Sequence, residues 1–169
     1  MSEPQEGGQP LLKFDPDGFA EVERLVAYEM GNALLMLNLE LQHRFGLRAE
    51  EYQVFLLIVL STVQRFAHAS DAGDAHLRRA PLPLDRSSSI SRRRISEVLG
   101  IPLETVRRIV ARLLEGGLIV ERSRGSLSTK GGTLESLGQD ATPERTARRF
   151  VATANAMIRL GAARTVKSG

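Results

Sequence analysis

Apolar residues recur at helical spacing over much of this chain. Asp15 or Asp17 can cap a helix, and Pro16 suits a first turn. Beyond them Phe19, Val22, Val26, Ala33, Leu34, Leu37, Leu41 and Phe45 keep one helical face apolar, and Gly46 supplies a stop. The pattern predicts a helix of about 28 residues, roughly 40 Å long at 1.5 Å rise per residue. A helix of that length in a small chain often pairs with another subunit. A second run, Ala49 to Ala67, carries Tyr52, Phe55, Leu56, Ile58, Val59, Leu60, Val63 and Phe66. It is apolar nearly all round over two turns, so burial on most sides is expected. Residues 1–14 read as a flexible tail, and residues 69–89, with two prolines and a serine triplet, as a linker. After a connection at 131–141, Thr142 and Pro143 open a last helix to about Ala163, with Ala147, Phe150, Val151, Ala154, Met157 and Ile158 on one side.

The segment 90–130 has a denser pattern. Ser91 can cap a short helix, Arg92 to Leu99, with Ile95, Val98 and Leu99 turned inward. Gly100 falls where a tight turn needs positive φ, Ile101 plugs the core, and Pro102 fits the first turn of a recognition helix, Leu103 to Glu115, which Gly116-Gly117 end. At about 100° per residue, Val106, Ile109, Val110, Leu113 and Leu114 share one arc, while Glu104, Arg107, Arg108, Ala111 and Arg112 share the opposite one. Leu118–Arg122 and Ser126–Ser128 then predict a β-hairpin with its tip at Ser123-Arg124-Gly125. A short turn leading into a second helix with a basic outer face is the layout of a major-groove reader, and the hairpin that of a wing. The expected fold class is therefore mainly α: a winged helix-turn-helix (90–130) with N- and C-terminal dimerisation helices (15–68 and 131–169).

Composition narrows the function. The 169 residues include no cysteine, which excludes disulfides, thiolate metal sites and a cysteine nucleophile. No secretory signal opens the sequence, so a cytoplasmic location is expected. The net charge of +3 hides a division: residues 1–85 carry −6 and residues 86–130 carry +6. Charge segregated in this way suggests that one module meets a polyanion.

The stretch ISEVLGIPLETVRRIVARLLEGGLI resembles the winged helix-turn-helix of the Crp/Fnr superfamily of bacterial transcription regulators. The similarity lies in a Leu-Gly-apolar turn, a Glu-Thr-Val-x-Arg core and a Leu-x-x-x-Gly-Leu-Ile close. The resemblance implies base reading by Glu104 and Arg108, with Arg107 as a second specificity position. Pro102 stands where that family often has serine and offers neither N–H nor hydroxyl to a phosphate. The rest of the chain lacks the strands of that superfamily's sensory barrel. The order of long helix, buried helix, helix-turn-helix, wing and terminal helix is more similar to the MarR family of dimeric regulators.

These readings make the chain a sequence-specific double-stranded DNA-binding transcriptional regulator, acting as a homodimer and open to a small-molecule effector, with no cofactor or metal expected. Base-reading residues are Glu104, Arg107 and Arg108. Backbone or groove contacts are Ser91, Arg92, Arg93, Thr105, Arg112, Arg122, Arg124 and Lys130. Plainer roles exist for several. Glu104 could serve only as an i,i+4 partner for Arg108, and Arg92-Arg93-Arg94 only as a solvated first turn that opposes the helix dipole. His68, Asp71, Asp74 and His76 have metal-ligand types but the spacing of no defined site, so a solvated loop is the reading. Met30, Met36, Phe45, Tyr52, Phe55 and Phe66 read as core rather than an effector pocket. No nucleophile–base pair or phosphate loop is visible, so no enzyme is expected. Two alternatives stay open: a winged-helix adaptor or antagonist of another regulator, and a plasmid or phage replication initiator.

Overall fold

The computed structural model describes residues 10–67, 88–122, 125–133 and 141–167. The protein is mainly helical, with five helices and two small sheets among these residues. The chain divides into two compact units. Unit 1 joins residues 1–40 to 143–169, and unit 2 spans 41–142.

Unit 1 begins with strand β1 (Pro10–Phe14), which runs into helix α1 (Pro16–Phe45). Asp15 caps that helix by accepting from the Gly18 N–H at 3.1 Å. Helix α5 (Thr142–Arg159) turns at Gly161 into strand β5 (Ala163–Lys167). The two strands pair antiparallel, from Pro10 opposite Lys167 to Phe14 opposite Ala163. Two expectations are corrected here. Residues 10–14 are not tail, and the last helix ends before Ala163, because the chain reverses at Gly161 and residues 163–167 join the ribbon. Little of unit 1 is enclosed: Val26, Ala156, Ala162 and Ala163 are its buried apolar residues. Phe150 and Val151 on α5 and Leu25, Tyr28, Leu34 and Leu35 on α1 are more than half exposed.

Unit 2 is built on helices α2 (Ala49–Ala67), α3 (Arg92–Leu99) and α4 (Leu103–Glu115) with a three-stranded sheet. Its strands β2 (Ile90–Ser91), β3 (Ile119–Glu121) and β4 (Ser126–Thr129) lie in the order β2-β4-β3, all antiparallel. The core gathers Val54, Phe55 and Ile58 of α2, Ile95 of α3, Val106, Ile109, Val110 and Leu113 of α4, and Ile90, Ile119 and Leu127 of the sheet. Each large side chain enclosed there contributes about 1.5–3 kcal/mol relative to exposure.

The membership of α2 corrects the expected boundary at 69–89. Periodicity marks the apolar face of a helix but not the element that will cover it, and here the cover for α2 is α3, α4 and β4. That helix is also less enclosed than expected, since Leu56 and Leu60 face outward. The expected linker lies almost wholly outside the described residues, as do the His68, Asp71, Asp74 and His76 cluster and the Phe66 side chain.

Local signals fix the geometry around α3 and α4. The Ser91 hydroxyl accepts from the Arg94 N–H at 3.2 Å, and Gly100 closes α3 at φ 66°. The Ser96 hydroxyl donates to the Ile101 carbonyl at 2.6 Å, tying the turn. Helix α4 has the expected bounds, with Pro102 at its N-cap, and the Pro102 carbonyl accepts from Val106 N–H at 3.0 Å. At the far end Leu118 N–H returns to Leu113 and Gly117 N–H to Leu114, each at 3.0 Å, a two-bond close that needs the left-handed Gly117. Val98, expected inside, is 48% exposed; α3 is only eight residues long and its packed stripe is Ile95 with Leu99.

Candidate nucleic-acid interface

Helix α4 is two-sided, as its sequence predicts. Val106, Ile109, Val110 and Leu113 are buried, while Glu104, Arg107, Arg108, Ala111 and Arg112 are exposed and Thr105 is half-buried. Glu104 and Arg107 form an ion pair of 3.1 Å at i,i+3, with both side chains more than half exposed. The partner expected for Glu104 was Arg108, one residue further round the helix. Among the described residues Arg108 has no hydrogen bond or ion pair, so its guanidinium is available to an outside acceptor. Glu104, Thr105 and Arg108 together line a shallow depression near the start of α4.

Other predicted contacts are already engaged. Arg112 leaves the exposed face to pair with Glu51 on α2. Glu51 is nearly buried and its second oxygen accepts from the Arg48 N–H at 2.9 Å, capping α2. Arg112 therefore fastens α4 to α2. The three arginines opening α3 share two carboxylates. Arg93 meets Glu97 at 3.0 Å and Arg94 meets it at 3.5 Å. Arg92 grips Glu121 with both forks, at 2.6 and 3.1 Å. The hydrogen bond from Arg93 holds the Glu97 carboxyl below its usual range, and that from Arg92 does the same for Glu121. The cost of three cations at a helix start is thus offset inside the chain, and it does not by itself call for phosphate.

The Ser91 hydroxyl accepts the cap bond of α3, which leaves its O–H as the group that could donate to a phosphate. Arg122 is half-buried at the end of the hairpin, where its N–H donates to Ser126 at 2.7 Å. Lys130 is exposed just beyond β4, its Nζ 3.7 Å from where a Gly117 β-carbon would stand. Arg124 lies outside the described residues. Tyr52 and Phe55 are buried in the core of unit 2, and Phe55 meets the Phe45 ring at 4.7 Å; Met30 and Met36 belong to unit 1 and are exposed.

Sequence reading missed Glu51, Glu97 and Glu121 as partners. Glu97 was within reach of it, since Arg93 and Glu97 are spaced i,i+4 on a predicted helix. Glu51 and Glu121 had no such local signal. Among the described residues no cluster of metal-binding side chains is present, and no helix is long and apolar enough to cross a membrane. Comparison with protein-family models, with curated proteins and with solved structures found no match for this chain.

Proposed function

We propose that this protein is a sequence-specific double-stranded DNA-binding transcriptional regulator in which residues 90–130 act as a winged helix-turn-helix. The observation that carries this reading is the outer face of α4. Glu104, Arg107 and Arg108 stand exposed at its first turns while the opposite side is locked into the core. A helix held so rigidly, presenting a guanidinium with no partner among the described residues, suits a base edge in the major groove. Arg108 donates to guanine, Glu104 accepts from cytosine, and Arg107 serves either base or phosphate once it leaves Glu104. The β3–β4 hairpin acts as the wing, with Arg122, Arg124 and Lys130 on the backbone or in the minor groove.

The protein acts as a homodimer through unit 1. Helix α1 encloses only Val26 and leaves a row of large apolar side chains in solvent, a surface a monomer rarely keeps. A dimer of this kind would read half-sites about 34 Å apart.

Fluorescence anisotropy of the protein on random duplex DNA, titrated with salt, tests the reading. A slope of log K against log salt of about −0.9 per phosphate, summed over several contacts, is expected. No binding at about 50 mM salt would refute it and favour an adaptor that meets an acidic protein. Sedimentation equilibrium tests the dimer, and a monomer at tens of micromolar would refute that part alone.

A further inference from the structure

The sheet of unit 2 is small. Strand β2 has two residues, β3 three and β4 four. Beyond β3 the Arg122 N–H donates to the Ser126 carbonyl at 2.7 Å. Strands this short have little intrinsic hold on one another. Arg92 supplies what the ladder lacks. It comes directly after Ser91, whose neighbour on β4 is Ser126, so it leaves the sheet at the β2 edge. Its guanidinium ends on Glu121 of β3, at the opposite edge. Between them it passes Gly125, whose carbonyl accepts from the same Nη1 at 3.5 Å. Gly125 is at φ 77°, and a β-carbon there would lie 3.6 Å from Glu121 Oε1 and 3.7 Å from Arg92 Nη1. The ion pair thus spans the central strand where the return strand begins.

We propose that Arg92 and Glu121 form a clasp that holds the end of β3 to the start of β4 for contact with DNA, with Arg92 a positioning residue and not a phosphate ligand. This rests on the DNA-binding reading. A guanidinium with both Nη groups on one carboxylate has its charge matched, and with the Gly125 carbonyl three of its five N–H donors are engaged inside the unit. What it contributes is direction: it holds β3 and the start of β4 so that the end of the hairpin at Arg122 is presented to the DNA backbone.

A double-mutant cycle on the full-length chain tests this, using Arg92→Ala, Glu121→Gln and the double variant on random duplex DNA. Each single variant should weaken binding about fivefold, the upper end of what an exposed ion pair supports. The double variant should be no weaker than either single, because one device is lost in all three. The sign for Glu121→Gln is the sharp point. Removing an anion from a DNA-facing surface tightens binding if Arg92 is a phosphate ligand that Glu121 merely restrains, and tighter binding with a steeper salt slope would overturn the clasp. So would additive losses.

Amide hydrogen exchange separates the clasp from the reading it rests on. The Arg122 N–H should exchange about fivefold faster in both single variants. The Val110 N–H, in the core helix, should be unchanged and reports that the unit is folded. If the wild-type chain binds no DNA while Arg122 exchange responds this way, the clasp stands and the regulator reading falls. If Arg122 exchange is unmoved in both variants, the clasp is wrong whatever DNA does.

Discussion

Thr62→Val should destabilise the protein although valine is the more apolar side chain of nearly the same shape. Thr62 is fully buried on α2. Its hydroxyl donates to the Ile58 carbonyl at 2.8 Å and accepts from the Thr129 N–H at 3.1 Å. The second bond compensates for a strand that stops early. Lys130 N–H points across the hairpin to Leu118, so alternation turns Thr129 N–H toward the other edge of β4. There β2 pairs only with Leu127 and Ser126 and has already ended. The hydroxyl of Thr62 takes the place of the missing strand. Valine would leave that N–H buried without an acceptor, at about 1–3 kcal/mol, partly offset by a better buried methyl, for a net loss of about 1–2 kcal/mol. Urea unfolding followed by circular dichroism should show the midpoint falling by roughly 0.5–1 M at a slope near 2 kcal/mol per molar. The sign decides the matter. If the hydroxyl were idle, valine would stabilise the core, and a midpoint equal to or above wild type would refute the argument.

Arg108→Ala should cost about 1–3 kcal/mol on a selected operator and little on random duplex, measured by anisotropy; equal losses on both would remove its base-reading role. Arg124→Ala should weaken binding to all sequences alike and flatten the salt slope by about one unit. Gly100→Ala places a β-carbon in open space but at φ 66°, so only backbone strain is charged, and thermal unfolding should report a loss of about 1 kcal/mol with Gly100→Asn losing less. Glu97 and Glu121 ionise more readily folded than unfolded, so their contribution is full above the ordinary carboxylate value of 4.5 and is lost as pH falls through their lowered values. A Glu97→Gln, Glu121→Gln double variant should therefore show a shallower decline of thermal midpoint below that pH than wild type.

Helix ends were legible because their signals are local. Asp15 and Pro16, Gly46, Ser91, Gly100 and Gly116 each act on the backbone within a turn, and each stands where the sequence places it. The two faces of α4 were legible for the same reason, since 3.6-residue periodicity needs no knowledge of the partner. The ribbon of unit 1 was not. PLLKF and ARTVK are five residues each, with no sustained alternation, and either finds its partner only at the other end of the chain. The candidate interface was legible in residue type but not in engagement. Arg92, Arg108 and Arg112 look alike as letters, and what separates them is a carboxylate that the fold brings from 29 residues away for Arg92, one from another helix for Arg112, and none among the described residues for Arg108. The allegiance of α2 was hidden similarly, because an apolar face states that it will be covered and not by what.

The pairing of β1 with β5 governs the order in which the chain becomes native. As synthesis proceeds, residues 10–14 emerge well before residues 163–167 and wait until those exist before their ladder can close. All the residues of unit 2 are made by residue 142, so its core can assemble while α5 and β5 are still to come. Gly18 tightens this dependence. A β-carbon there would stand 2.1 Å from the Gly161 carbonyl oxygen, so the first turn of α1 has its final neighbour only once Gly161 has been made. Until then Leu11, Leu12 and Phe14 lack their strand partner, and that interval is when the nascent protein most needs shelter from its own kind.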